Sequence, residues 1–66
     1  MTVMEKQTIK ALADCDLKIY QTAKRLNCSV GTLKRRIQAV YNRTGLDATK
    51  FYDLVKLLVG IKGEEI

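Results

Sequence analysis

Residues 22–37 read TAKRLNCSVGTLKRRI, and this stretch decides the fold of the chain. Two helices that cross at a steep angle need a small residue where their backbones approach, and Ala23 supplies it. They also need a turn of about three residues. Asn27-Cys28-Ser29 suits one, because Asn tolerates a left-handed backbone and Ser caps a following helix. Apolar anchors on both sides of the turn are Leu26, Leu33 and Ile37.

The remaining sequence extends this helix pair to an all-α fold. The 66 residues include no Pro, and apolar residues recur at spacings of three and four without sustained alternation. We expect a single domain over residues 1–66, ending in a short polar tail at residues 60–66. The starting Met and a capped first helix favour a complete chain. The fold is predicted to be a compact four-helix helix-turn-helix domain with helices over residues 3–13, 17–26, 30–43 and 48–59.

Capping residues predict where these helices begin and end. Thr2 and Glu5 have the spacing of a capping box, in which each side chain satisfies a backbone N–H at the start of a helix. Asp16 is expected to cap the second helix and Asp47 the fourth, and Gly45 is expected to end the third. The apolar stripe of the third helix is expected to consist of Leu33, Ile37, Val40 and Tyr41.

The uneven distribution of charge indicates a polyanionic partner. The chain carries 12 Lys and Arg against 7 Asp and Glu, a formal net charge of +5. The segment from Leu17 to Leu46 holds seven basic residues and no acidic one. A patch of one sign on a helix pair is typical of nucleic-acid-binding modules, although a run of Lys and Arg is also the usual solvated face of a helix.

Composition excludes several other classes of protein. No apolar run approaches the roughly 20 residues of a membrane span, so we expect a cytoplasmic protein. With no His and only Cys15 and Cys28, we expect no metal site, no cofactor, no disulfide scaffold and no enzymatic activity. Cys28 is expected to be a small buried apolar residue. The aromatic residues are expected to pack in the core or on the helices rather than to stack on RNA bases: Tyr20, Tyr41, Phe51 and Tyr52.

A set of spaced residues between Ile9 and Val59 resembles the LuxR/GerE-type DNA-binding domain. These residues are Ala23, Leu26, Cys28, Ser29, Thr32, Leu33, Lys34, Ile37, Val40, Gly45 and Leu46. The segments 31–33 (GTL) and 44–47 (TGLD) are similar to the C-terminal helix-turn-helix of PucR-type regulators. The segment 31–36 (GTLKRR) resembles the Fis-type recognition helix. These resemblances imply a DNA-binding domain whose third helix contacts the DNA.

The third helix carries the residues that we expect to contact DNA. Side chains on its outward face are expected to enter the roughly 12 Å major groove, and these are Val30, Gly31, Lys34, Arg35 and Gln38. Lys34 and Arg35 are the strongest candidates, and the sequence leaves open which contacts a guanine edge and which a phosphate. Gln38 suits hydrogen bonds to an adenine edge, and a merely solvated side chain is the alternative. Val30 suits an apolar contact with a thymine methyl, and a merely exposed side chain is the alternative.

Contacts to phosphate are expected around this helix. Ser29 caps the helix and also suits a phosphate contact at its N-terminus. The resemblance implies a phosphate contact for Thr32, for which packing on the turn is the alternative. Phosphate contacts or solvated charges are further expected at Lys18, Lys24, Arg36 and Arg43.

The fourth helix is more apolar than one face against a three-helix core requires. We therefore predict a homodimer through this helix, as the resemblance to LuxR/GerE-type domains also implies; complete burial within one domain is the alternative. A symmetric dimer predicts a palindromic site with half-sites about 34 Å apart. The predicted interface residues are Phe51, Leu54, Val55 and Leu58.

Two functions fit these observations. The first is a sequence-specific double-stranded DNA-binding protein, a small stand-alone bacterial or phage transcription regulator that inserts residues 30–43 into the major groove. The alternative is a basic protein-interaction module, such as an anti-repressor or polymerase-docking factor, that uses the same helices on an acidic partner. The Ser29-x-x-Thr32 spacing before a basic helix favours DNA, and the dependence of binding on salt and base sequence separates the two.

Overall fold

The chain folds into four helices, which confirms the all-α prediction. The computed structural model describes residues 2–65, with side chains from Thr2 to Gly63. Within that part of the chain there is no strand. The helices are α1 (Val3–Asp14), α2 (Ile19–Arg25), α3 (Val30–Thr44) and α4 (Phe51–Glu65).

Helix α1 lies at the centre of the fold. It packs against α2, α3 and α4, and α2 also packs against α3. Every helix contributes to one core, which consists of Ile9, Leu12, Ala23, Leu33, Ile37, Val40, Ala48, Leu54, Leu57 and Ile61. Each of the four helices packs one side on this core and keeps another side toward solvent. No helix within residues 2–65 is both long and apolar enough to span a membrane.

The capping residues of α1 and α3 behave as their sequence predicts. The Thr2 hydroxyl accepts a hydrogen bond from the Glu5 N–H (3.1 Å), and the Glu5 carboxylate accepts one from the Thr2 N–H (3.4 Å). Ser29 is the N-cap of α3, and its hydroxyl accepts from the Thr32 N–H at 3.1 Å. Gly45 ends α3 at φ 75°, a left-handed conformation that Gly adopts without steric cost.

The prediction that Asp16 caps α2 is wrong, because Asp16 belongs to the end of α1. Its φ is 53°, whereas an N-cap residue needs an extended backbone. The Leu17 N–H donates to the Leu12 carbonyl (2.8 Å) and the Asp16 N–H to the Ala13 carbonyl (3.3 Å), the two bonds of a Schellman motif. Helix α2 therefore begins at Ile19 rather than at residue 17, after an N-cap, Lys18, without a side-chain cap.

Helix α4 begins later and ends later than predicted. Asp47 caps a turn rather than the helix: its carboxylate accepts from the Thr49 N–H (2.9 Å), and its own N–H donates to Asp53 (3.0 Å). The helix then starts at Phe51 instead of residue 48. In place of a polar tail from residue 60, the helix runs to Glu65, because Ile61 is 2% exposed and fixes this last part to the core. Residue 66 lies outside the described residues.

The aromatic residues lie outside the core, so of the two expected kinds of packing only packing on a helix is observed, between the rings of Phe51 and Tyr52 at 5.5 Å. Tyr20 is 81% exposed, Tyr52 79%, Phe51 64% and Tyr41 49%. Tyr41 therefore lies outside the apolar stripe of α3, which is formed by Leu33, Ile37 and Val40. The small core is filled by aliphatic side chains from all four helices, so that the larger rings remain at its edge.

A buried carboxylate connects the start of α1 with the end of α3. Glu5 is 9% exposed, and the guanidinium of Arg43 at the end of α3 donates to its Oε1. Burial alone raises the pKa of Glu5, but the Thr2 hydrogen bonds and the charge of Arg43 together outweigh it and hold the pKa below its ordinary value. Arg43, predicted as a phosphate contact, is therefore engaged within the protein.

Acidification should destabilise the protein through this carboxylate. Because the pKa of folded Glu5 lies below its ordinary value of 4.5, the ionised form stabilises the fold above that pH. This contribution is lost as the pH falls through the lowered pKa. Urea unfolding at a series of pH values should show that Glu5→Gln is less stable than wild type at neutral pH and that the gap narrows in acid. A gap that stays constant with pH would contradict this role.

Candidate nucleic-acid interface

The turn between α2 and α3 is built by the end of α2. The Asn27 N–H donates to the Lys24 carbonyl (3.1 Å), and the Cys28 N–H donates to the Ala23 carbonyl (3.0 Å), a second Schellman motif. Asn27 takes the left-handed position with φ 54°, as its sequence position predicts. Cys28 is half-buried and packs against the core, and Ala23 is 3% exposed. The two helices are thereby fixed as the predicted helix-turn-helix.

Helix α3 buries one side and presents the opposite side to solvent. Leu33, Ile37 and Val40 are buried, and successive residues rotate by about 100° around a helix. The side opposite the buried residues is exposed along its whole length. We call this side the outward face of α3, and it consists of Gly31, Arg35, Gln38 and Asn42.

The outward face contains only some of the predicted DNA contacts. Lys34 is exposed but lies on a flank, where it lines a cleft toward α2 and the α3–α4 loop. Val30 is half-buried and packs against the core, so it is not a freely exposed side chain. Gly31 has open space beside it, since a Cβ placed there would meet nothing nearer than the Ser29 hydroxyl oxygen at 3.9 Å.

The start of α3 combines a cap with a free hydroxyl hydrogen. The Ser29 hydroxyl accepts from the Thr32 N–H and donates to the Thr32 hydroxyl oxygen at 2.9 Å. With the Ser29 proton used in this way, the Thr32 hydroxyl keeps its own proton for another acceptor. The helix N-terminus beside it favours an anionic acceptor.

The basic residues divide into paired and unpaired groups. Arg43 pairs with Glu5, and Arg25 pairs with Asp14 at 3.4 Å, both partners lying on α1. Among the described residues, the other five basic side chains between Leu17 and Leu46 form no ion pair. These five are Lys18, Lys24, Lys34, Arg35 and Arg36. All five belong to α3 or to α2 and its N-cap, so the helix-turn-helix keeps a positive surface after internal pairing.

A cleft of about 690 Å³ separates one flank of α3 from the α3–α4 loop. Lys34, Gln38 and Tyr41 form its α3 wall, and Asp47 and Asp53 lie opposite. Hydrogen bonds from Thr49 hold the pKa of Asp47 below its ordinary value, so this carboxylate is ionised at neutral pH. The loop side of the cleft therefore carries two carboxylates with the cation of Lys50 beside them.

Comparison with protein families agrees with this geometry. The family model of the PucR C-terminal helix-turn-helix domain matches residues 6–62. The chain belongs to this family. The match confirms the predicted resemblance to PucR-type regulators and does not by itself support the LuxR/GerE or Fis resemblance. No match was found among curated proteins or solved structures.

Family membership supports a DNA-binding transcription regulator. The matched residues of the PucR-type domain include all of α2 and α3, and therefore the whole helix-turn-helix. Within residues 2–65, no three His, Cys, Asp or Glu residues come together as a metal site requires.

Sequence reasoning missed two features of this surface. Asn42 belongs to the outward face, and its Oδ1 accepts a hydrogen bond from the Gln38 side-chain amide at 2.9 Å. The spacing of four residues between the two amides was the available signal. The Arg43–Glu5 pair joins residues 38 positions apart, so no local pattern could have indicated it.

Proposed function

We propose that this PucR-type domain binds double-stranded DNA sequence-specifically and acts as a small stand-alone bacterial or phage transcription regulator in the cytoplasm. The outward face of α3 carries the proposal. It is fully exposed, it carries Arg35 and two amides, and α2 supports it from behind in the arrangement that places a helix in the major groove.

Arg35 and Lys34 take different roles in this proposal. Arg35 lies in the centre of the outward face, where a guanidinium suits bidentate contact with guanine O6 and N7. Lys34 lies on the flank, which suits a phosphate at the groove edge. The position of each side chain around the helix thus supports an assignment that the sequence left open.

Phosphate contacts are proposed for the remaining unpaired cations and for the start of α3. Lys18 and Lys24 lie on the exposed surface of the α2 region, and Arg36 is half-buried on α3. Thr32 offers a hydroxyl proton beside the helix N-terminus, and Ser29 is its cap. Arg43 is left out, because its guanidinium neutralises buried Glu5.

The salt dependence of binding tests this proposal. About five protein cations that displace counterions in each subunit should give a log–log slope near −4.5 per subunit bound to duplex DNA. The measurement is fluorescence anisotropy of labelled duplex at a series of salt concentrations. A shallow slope with weak binding to every duplex would contradict the proposal and favour the acidic-protein partner instead.

Gly31 offers a test in which stability and binding move in opposite directions. Replacing a helical Gly by Ala stabilises a fold by up to about 1 kcal/mol, and the added Cβ meets no clash here. If α3 lies in the major groove, the same methyl group crowds the DNA and should weaken binding by about 1–3 kcal/mol. Urea unfolding and anisotropy on one Gly31→Ala preparation measure both effects.

Gly63→Ala is the matched control for this prediction. Gly63 is an exposed Gly of α4, and a Cβ placed there meets nothing within 4 Å. The control should gain stability without a change in affinity. If Gly31→Ala bound DNA with unaltered affinity, the backbone of α3 at Gly31 would not lie against the DNA, and the prediction would be contradicted.

We further propose that the domain dimerises through α4. Phe51 and Val55 are exposed at 64% and 40%, and with half-buried Leu58 they line an apolar groove of about 300 Å³ beside α1. Val59, one turn further on, is 66% exposed. Leu54 does not belong to an outer surface, because it is 4% exposed and packs in the core.

Sedimentation equilibrium tests the dimer. A second copy on this strip would bury side chains that lie four residues apart along α4 and would place two α3 helices on a palindromic site. The Val55→Glu variant should then be monomeric where wild type is dimeric, whereas the Lys56→Glu variant, changed on the adjacent surface, should remain dimeric. A wild-type protein that remains monomeric when bound to its preferred DNA would contradict this proposal.

A further inference from the structure

The outward face of α3 contains one hydrogen bond between two exposed side chains. The Gln38 Nε2 donates to the Asn42 Oδ1 at 2.9 Å. Both residues are exposed, and they stand one helical turn apart on the side that carries Arg35. The bond restricts a side chain that would otherwise rotate freely, and it leaves the opposite edge of the Gln38 amide free.

This bond leaves a defined pair of groups on Gln38. A primary amide has two N–H donors and one carbonyl acceptor, and one donor is used on Asn42. The second N–H and the Oε1 remain together on the other edge of the amide. Because the Asn42 amide also carries N–H donors, the two amides can turn over together, but the free edge of Gln38 then still presents one donor beside one acceptor.

The remaining groups match adenine. In the major groove adenine presents a donor, its N6 amino group, beside an acceptor, N7, and Gln pairs with both in a bidentate contact. Guanine presents two acceptors at the same positions, so in either orientation of the amide Oε1 would face an acceptor there.

We propose that Asn42 is a positioning residue that restrains the Gln38 side chain so that the free edge of its amide is presented to adenine. This inference rests on the proposed function. Gln38 lies three residues after Arg35, about 4.5 Å along the helix axis, which is close to the rise of one base pair. The adenine preference therefore belongs to a base pair adjacent to the guanine that Arg35 contacts.

The test is a set of anisotropy competitions in which each base pair of the selected duplex is changed in turn. Gln38→Ala should abolish the adenine preference, about 5- to 150-fold in wild type. Asn42→Ala should reduce the preference by about 2- to 12-fold, because the Gln38 side chain must then be immobilised on binding. The guanine preference and the salt slope should stay at wild-type values in Asn42→Ala.

Asn42→Asp is the matched control, because its carboxylate still accepts from the Gln38 Nε2. It should keep the adenine preference, while the added charge lowers affinity for all duplexes alike. The inference would be overturned if Asn42→Ala kept the full adenine preference, or if both Asn42 variants lost the preference equally. Either result would leave the proposed function intact. If wild type selects no sequence at all, the proposed function fails and this inference with it.

Discussion

Arg35→Ala is expected to lower affinity for the preferred duplex about 5- to 150-fold and to erase the base preference at one position. Arg35 is exposed in the centre of the outward face and forms no ion pair among the described residues, so its loss leaves nothing unpaired in the fold. The free energy of unfolding should therefore remain close to that of wild type. Competition anisotropy with single-base duplex variants measures the loss of preference.

Two lysine variants give this prediction its controls. Lys34→Ala should weaken binding to all duplexes alike and reduce the magnitude of the salt slope by about 0.9, the value for one phosphate. Lys56→Ala removes the same charge from the exposed surface of α4 and should leave base preference unchanged. Wild-type preference in Arg35→Ala would exclude Arg35 as the residue that contacts a base.

Leu12→Ala is expected to unfold most of the protein. Leu12 is fully buried in α1, the helix on which the three others pack. Truncation of a buried Leu costs about 2–5 kcal/mol, and the core of a domain this small rarely supplies more than about 3–5 kcal/mol. Circular dichroism during thermal and urea unfolding measures the loss of helix and of cooperativity.

Val3→Ala is the control within the same helix. Val3 is 71% exposed, and its truncation should change the free energy of unfolding by less than about 0.5 kcal/mol. A cooperative transition of Leu12→Ala close to that of wild type would show that α1 is not the centre of the core.

Local signals predicted the helix-turn-helix because its geometry depends on neighbouring residues. Ser29 as N-cap and Asn27 and Gly45 as left-handed residues each act within a few positions of their partners. The prediction that Asp16 caps α2 at the α1–α2 junction was wrong, although it also rested on a local signal. Asp16 is a good N-cap type, but the Schellman motif at the end of α1 places it in a left-handed conformation.

Features that depend on tertiary contacts could not be predicted in this way. A polar tail was predicted from residue 60, yet packing of Ile61 against the core keeps α4 helical through Gly60 and Gly63. Thr8 and Thr22 are fully buried because their hydroxyls donate to the carbonyls of Met4 and Lys18. At the candidate site, charge identified the helix, whereas only the burial of α3 showed that Arg35 is central and Lys34 lies on a flank.

Selection of bound duplexes from a random-sequence pool tests the central claim most directly. Wild-type protein is expected to enrich a motif with a conserved guanine and an adjacent adenine, arranged as a palindrome if the domain dimerises. Binding to the enriched duplex should weaken steeply as salt is raised, with a log–log slope near −4.5 per bound subunit. A pool that gains no motif over successive rounds would contradict sequence-specific recognition by α3.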